Sequence, residues 1–348
     1  MSGSSPARDS PSIVAVGAAA IDEWYAVSNL PEPDGGAYAS EVTTAFGGVG
    51  ANVAVALDRL GRDVGLVSRV GDDAYGRRAR ENLAATGVDT DRVVVGGDAT
   101  TRSVILRDPD GERAIVTAGE SFRELRLDES DRTALAAADV VFLTAYAPDP
   151  VARSVLDVAD EAVDPPRLVF DLSGPVEELA GRGTEPATIH RYCHRADLFV
   201  AGDVAAAAYF GGVDAATARV AAAQRARDRS GGDVEGIDDG RETDDGGGTD
   251  DGPDWPRAVL THGADGMTAV TGGAVTEFDA FDVDAVDATG AGDAFVAGLI
   301  DQWLVGDAGV EAGVRFAAAV AAINCTTRFT QPGLPDREAV AAFLDERR

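Results

Sequence analysis

Short apolar runs separated by stretches of helical pattern set the plan of this chain. Ser12 to Gly17 (SIVAVG) is apolar at successive positions and predicts a strand covered on both faces. VGLVSRV predicts a second strand, and VVFLTAY, RLVFDLS, DLFVAG and RAVLTHG predict four more. Between them lie helical patterns, among them a small-residue helix from Asn52 to Leu60 stopping at Gly61 and an amphipathic one near Tyr75 to Thr86 stopping at Gly87. Such alternation is the signature of a mainly parallel sheet with helices on both faces, an α/β three-layer sandwich. Trp24 to Phe46 reads differently, rich in Gly, Pro and polar residues with a β-like run YASEVTTAF. Val104–Leu106 and Ala114–Val116 flank Asp108-Pro109-Asp110-Gly111 and predict a hairpin. These β segments do not fit inside the parallel sheet. They are expected to form a small β lid over one end of it, from segments at about 23–46 and 94–118 of a single domain spanning 12–348.

Two stretches interrupt the pattern. Residues 1–11 are polar and rich in Ser and Pro, without the apolar core of a signal peptide, and read as a flexible tail. The 27 residues 228–254 hold 11 acids, 8 glycines and 2 arginines, too little apolar surface to offset the entropy of ordering. They are expected to be a disordered acidic, Gly-rich surface insert.

Charge narrows the possible functions. The 348 residues carry a formal net charge of −30, and all 30 basic residues are arginine. An acid excess with no lysine is the composition of proteins from a salt-filled, haloarchaeon-like cytoplasm, where molar salt shortens the Debye length to roughly 3 Å and screens self-repulsion. No basic stripe offsets the acidity, so neither nucleic acid nor an anionic membrane is an expected partner. Without lysine there is no Walker A lysine, Schiff-base lysine or protein-kinase lysine. Cys193 and Cys325 lie far apart, outside any metal spacing, and read as reduced structural thiols of a cytoplasmic protein. No stretch approaches the roughly 20 apolar residues that span a bilayer.

The strongest chemical signal is Val286-Asp287-Ala288-Thr289-Gly290-Ala291-Gly292-Asp293-Ala294-Phe295, a Gly-rich turn leading into a helix expected to run to about Val305. Free amides at a helix start, with the dipole behind them, make an anion site. Asp293 falls in the first turn, where the dipole should keep it ionised and able to take a proton. A carboxylate beside an anion hole suits hydroxyl-to-phosphate transfer; the same pattern also suits a plain helix cap. A second glycine pair precedes a helix in Phe46-Gly47-Gly48-Val49-Gly50-Ala51-Asn52, where Asn52 and bare amides suit a polyol or, again, a cap. Asp22 follows the first strand, at the end of the sheet where α/β proteins bind ligands.

DATGAGDAF resembles the C-terminal signature of the PfkB/ribokinase family of carbohydrate kinases, and GGVGANVAVALDRLG resembles its N-terminal signature. Their order and their separation of about 240 residues fit as well, and the resemblance runs from about Ile13 to Leu344 apart from the insert. It implies a ribokinase-like fold and ATP-dependent phosphorylation of a sugar hydroxyl, with Mg2+ and, through Asp287, a monovalent cation such as K+. By the same resemblance Asp293 is the base, and Gly290, Ala291 and Gly292 form the anion hole. Asp22, Gly47, Gly48 and Asn52 then bind the sugar. Thr261, Gly263, Gly266 and, loosely, Asn324 lie against the nucleotide. A homodimer through the lid is a further implication.

The chain departs from the family in two places. Gly202 and Ala205 stand where relatives often have Asn-x-x-Glu, which puts magnesium handling in question, and Gly119-Glu120-Ser121 stands where they often have Gly-Ala-Asn. A ribokinase-like or fructokinase-like activity is expected ahead of action on a phosphorylated sugar, since no basic clamp can be assigned, although Arg102 and Arg113 could approach from the lid. Arg102 would also suit the carboxylate of 2-keto-3-deoxygluconate. A nucleoside kinase would need an apolar clamp, with Trp24 and Tyr25 as candidates. A non-catalytic sugar-binding regulator is the alternative of another class. A nicotinamide oxidoreductase is disfavoured, because GAAAIDEW follows the first strand in place of GxGxxG.

Overall fold

The computed structural model describes residues 12–230, 257–306 and 308–347. The tail 1–11 and residues 231–254 of the acidic insert lie outside the described residues. Residues 228–230, expected in the insert, instead close the helix Val213–Ser230.

Nine strands form the central sheet: β1 (Ile13–Val16), β4 (Val64–Gly71), β5 (Val93–Gly96), β8 (Val140–Thr144), β9 (Arg167–Asp171), β10 (Leu198–Gly202), β11 (Arg257–Thr261), β12 (Met267–Thr271) and β13 (Ala274–Phe278). Their order is β13-β12-β11-β10-β9-β8-β1-β4-β5. The run from β11 to β5 is parallel, and β12 and β13 add antiparallel pairs at one edge. Because both faces are covered, alternate residues of each strand enter different cores. Ile13, Val140, Phe142, Val200 and Val259 face one helical layer, and Val14, Val141, Phe170, Phe199 and Leu260 face the other. This is why the strands read as continuous apolar runs in the sequence.

A second, four-stranded sheet makes the lid: β2 (Ala20–Val27), β3 (Ala39–Gly47), β6 (Arg102–Arg107) and β7 (Arg113–Ala118), in the order β3-β2-β6-β7. The expected lid segment at 94–118 is thereby trimmed. Residues 94–96 belong to β5, which pairs in parallel with β4 in the central sheet. Register places Asp22 beside Ser103, and Ser103 beside Thr117; one step along, Trp24 lies beside Ile105, and Ile105 beside Ile115. One face of the lid therefore carries a row of polar side chains next to an apolar row.

The helix expected to run to Val305 is α-helical over Ala291–Leu299 and π-helical over Ile300–Val305. Among the described residues no helix is long and apolar enough to cross a membrane. Cys193 is buried and Cys325 partly exposed, both as free thiols.

Candidate active site

Gly290 occupies the left-handed region at φ 80°, which turns the chain sharply into the helix Ala291–Leu299. A side chain there would also meet Thr330, whose Cγ2 lies 2.0 Å from the position a Cβ would take. Asp293 is the third residue of that helix. The Asn52 amide, from the helix Val49–Arg59, donates to Asp293 Oδ2 at 2.7 Å. Two motifs 241 residues apart in sequence thus meet in one hydrogen bond.

The surroundings of Asp293 differ from the dipole-based expectation. Its carboxyl is pushed up to about 7, first by burial, with the Asn52 hydrogen bond opposing and the nearby Asp171 and Asp22 adding. Asp22 is buried at 8% exposure and rises to about 6, again chiefly by burial, against a hydrogen bond from Ser103. Asp171, at the carboxyl end of β9, also rises to about 6 by burial, although the Ser173 hydroxyl donates to it at 2.6 Å. Asp22, buried, and Asp171, half-buried, lie within the electrostatic reach of half-buried Asp293, and desolvation is the largest cause of the rise in all three. A carboxylate near neutrality makes a better general base than one held at its ordinary value.

Gly47 ends β3 directly behind Asp22, with room for nothing larger, since a Cβ there would lie 2.2 Å from Asp22 Oδ2. Gly48 follows at φ 93° and opens the helix that carries Asn52. Gly48 also lines a cavity of 580 Å³ beneath the lid, together with Ser103, Thr117, Arg123, Tyr146 and Arg182. Burial pushes the Tyr146 hydroxyl up to about 12, helped by the neighbouring Glu178 and by the charges of Asp171 and Asp293.

On the other side of the Gly290–Gly292 turn lies a second cavity, of 400 Å³, lined by Thr261, Gly263, Gly266, Phe281, Ala291 and Gly292 among others. Asp293 follows Gly292, which lines this second cavity, and its charge reaches Tyr146, which lines the first. Ala291 donates its own N–H to Ala288 O at 3.2 Å. Asn324 does not line this cavity. It is 1% exposed, and its amide donates to Thr330 O at 2.8 Å, so it braces the neighbouring segment while Cys325 takes the wall. Asp287 is 7% exposed and accepts from the backbone N–H groups of Thr289 and Phe329, each at 3.0 Å.

The sequence profile of the pfkB family carbohydrate kinase matches residues 10–172 and 253–337. The chain belongs to the pfkB family of carbohydrate kinases.

As a member of it, the protein is an enzyme that phosphorylates a sugar hydroxyl with ATP as donor. It is 33% identical over 329 residues to an ATP-dependent ribose-1-phosphate kinase of Halopiger xanaduensis, covering 94% of this chain and 95% of the relative. To a nucleoside kinase of Methanothermobacter thermautotrophicus it is 28% identical over 347 residues, covering 95% of each. The fold superposes on Arabidopsis thaliana ribokinase complexed with ribose and ATP with a TM-score of 0.73 at 22% identity, covering 96% of this chain and 99% of that one.

Several side chains singled out in the kinase sequence take other places. Trp24 is 4% exposed and packs edge-on against Phe329, ring centroids 5.6 Å apart, so it stiffens the lid and offers no open clamp. Arg102 pairs with Glu23 and covers the Tyr75 ring. Arg113 reaches across from β7 to Thr289 Oγ1 at 3.0 Å and ties the lid to the catalytic turn. Ala205 is buried, and Asp203 turns to His262 Nδ1 at 2.6 Å, so the Gly202–Ala205 run presents neither an Asn nor a Glu side chain. Glu120, in the Gly119–Ser121 run, pairs with Arg123 at 2.5 Å. Sequence reasoning missed Asp171, Tyr146, Arg123 and Arg182. Asp171 had a signal available, as an acid at the carboxyl end of the strand RLVFD. Tyr146 closes the predicted strand VVFLTAY, whereas Arg123 and Arg182 sit in loops without pattern.

Proposed function

We propose that this kinase acts on a phosphorylated pentose, with ribose 1-phosphate as the preferred acceptor. The observation that carries the reading is the pair Arg123 and Arg182 on the wall of the 580 Å³ cavity. Arg182 supplies the basic group whose apparent absence ranked free sugars first in the sequence, and Arg123, paired with Glu120, stands beside it. Arg182 is exposed, and among the described residues nothing pairs with its guanidinium. Guanidinium groups recognise phosphate through paired, charge-assisted hydrogen bonds. The name of the Halopiger relative points the same way.

The acceptor lies with its phosphate toward Arg123 and Arg182 and its hydroxyls along Asp22, Gly47, Gly48 and Asn52. The hydroxyl farthest from the phosphate, the primary 5-hydroxyl, meets Asp293. Its oxygen bonds to the γ-phosphorus of ATP, its proton passes to Asp293, and the β–γ bridging oxygen leaves with ADP. The turn Gly290–Gly292 holds charge on the transferred group, and ATP lies along Thr261, Gly263 and Gly266. Closure of the lid excludes water.

Magnesium arrives with the nucleotide. The ion is held largely by phosphate oxygens and water, as this small cation commonly is in phosphate-transferring sites. Asp287 is the proposed anchor of K+, its buried carboxylate retaining acceptor capacity beyond its two backbone donors. Unchanged activity with sodium in place of potassium at constant ionic strength would remove it. The outer lid face exposes Val42 and Val116, at 56% and 58%, and is proposed to pair two subunits in the salt-rich cytoplasm that the composition suggests. A monomeric mass by light scattering in molar KCl would refute that pairing.

Nucleoside phosphorylation is the second reading, favoured by Ile115, an exposed apolar side chain on the cavity wall that a base could cover. The test is ADP release in molar KCl with Mg-ATP against ribose 1-phosphate, ribose, fructose, 2-keto-3-deoxygluconate and nucleosides. Ribose 1-phosphate should exceed ribose in kcat/KM by at least roughly tenfold. Higher efficiency on ribose or on a nucleoside overturns the proposal, and binding without turnover on every substrate would restore the non-catalytic regulator.

A further inference from the structure

Three carboxamides form a one-way chain that ends on Asp293. The Asn82 amide donates to Gln331 Oε1 at 2.7 Å. The Gln331 amide donates to Asn52 Oδ1 at 3.3 Å. The Asn52 amide donates to Asp293 Oδ2 at 2.7 Å. Gln331 and Asn52 are buried, at 6% and 5% exposure, so water does not substitute for these partners. The sense of the chain is passed from link to link and ends on a carboxylate, which only accepts. With Oδ1 of Asn52 accepting from Gln331, only its NH2 group can face the carboxylate.

The segment that delivers Gln331 is itself pinned. Phe329 sits at φ 69°, unusual for a bulky residue, with its N–H on Asp287. The Thr330 hydroxyl donates to Thr289 O at 3.1 Å, and Thr330 O accepts from Asn324. Arg328 pairs with Glu41 on β3 at 2.8 Å. Residues 328–331 thus touch the lid at one end and the partner of Asp293 at the other.

We propose that Gln331, backed by Asn82, is a positioning residue for the general base: it fixes the Asn52 amide with its NH2 toward Asp293 and so holds that carboxylate ready to accept a proton. The proposal rests on Asp293 being the base. Without the Gln331 donor, Asn52 is free to turn its oxygen toward Asp293 and to favour the protonated acid. The other groups facing Asp293 are Asp22 from β2, Asp171 from the end of β9 and Tyr146 after β8. The first two already favour its protonation, so the Asn52 donor is the opposing influence that orientation controls.

The experiment compares kcat/KM for the acceptor against pH in the full-length wild type, Gln331→Leu and Asn82→Leu, with folding followed by thermal melting and donor binding by calorimetry with a non-hydrolysable Mg-ATP analogue. The acidic limb should move up by about one pH unit in Gln331→Leu and by a smaller amount in the same direction in Asn82→Leu. Activity at pH 7 should fall roughly threefold to tenfold and recover about two units higher, with analogue affinity unchanged. A loss of equal size at every pH, or an unmoved limb in both variants, overturns the proposal. Asn82→Leu, at a partly exposed position, keeps the test available if Gln331→Leu does not fold. The residual activity of Asp293→Asn separates the two ideas. If the wild-type limb persists there, Asp293 is not the base; if it vanishes while the Gln331→Leu limb stays in place, only the positioning role fails.

Discussion

The two halves of the cleft are built from different materials. The half proposed for the donor is walled by Gly263, Gly266, Ala318 and Cys325 together with Phe281 and Phe295, and presents mainly backbone and apolar surface. The acceptor half presents Ser103, Thr117, Glu120, Arg123, Tyr146 and Arg182, with Asp22 and Asp171 in the same electrostatic neighbourhood. Shape and backbone suffice for a flat base on a flexible chain of phosphates. Telling one small polyol from another takes directed donors and charges. Changes to the acceptor half should therefore alter which sugar reacts, and changes to the donor half should alter affinity for ATP whatever the sugar.

The largest test of that division is Asp293→Asn. Turnover should fall by about 10³-fold while the acceptor still binds, as read by ADP release and calorimetry. Near-normal turnover would move the chemistry away from this boundary. Next, Arg182→Ala should raise KM for ribose 1-phosphate by roughly tenfold to a hundredfold and leave KM for ribose and for Mg-ATP unchanged. Equal losses on both sugars would deny a phosphate clamp. Gly266→Val should act on the donor alone. Gly266 sits at φ 105°, with a Cβ position 2.1 Å from Phe278 O, so a side chain must distort the turn and should raise KM for Mg-ATP by about tenfold. A matching change in sugar KM would show the halves to be coupled.

A smaller effect is expected with pH. Asp293 accepts a proton only when ionised, so kcat/KM should fall as pH drops through about 7, and fall more steeply near 6 where Asp22 and Asp171 also protonate. The smallest concerns stability, and its sign is opposite. A carboxyl whose value is raised on folding binds its proton more tightly in the native state. Its contribution is thus full below the unfolded value of 3.8 and is lost as pH rises through about 7. Asp293→Asn should raise Tm by a few °C at pH 8, roughly 2–4 °C, and by nothing measurable near pH 4. A lower Tm at pH 8 would mean that the carboxylate is held by contacts worth more than its desolvation.

The parts of the site that were legible in sequence are contiguous. Gly290 to Asp293 and Gly47 to Asn52 each encode a tight turn and the helix that follows it, and local backbone chemistry is enough to reveal both. Asp22 was visible as an acid after the first strand, although it lies within the second strand, in the lid. Arg102 and Arg113 show the limit of such reading. They lie on one hairpin, Arg102 at its open end and Arg113 beside its turn, yet Arg102 turns to Glu23 and Arg113 reaches the Gly290 turn. Strand register separates them, through the position and the face each side chain takes. Asn324 shows the same limit on a helix, where one position separates its buried brace from the cavity wall at Cys325.

The sequence by itself determined the sandwich, the lid, the two glycine turns and the family. Each of these rests on periodicity or on adjacent residues. The tertiary structure alone decided that Asp22 and Asp171 lie within electrostatic reach of Asp293, that Arg123 and Arg182 line the cavity beneath the lid, and that Asn82, Gln331 and Asn52 point in series at Asp293. Desolvation, charge coupling and hydrogen-bond direction depend on which elements the fold brings within a few ångströms, and no local pattern in the chain carries that information.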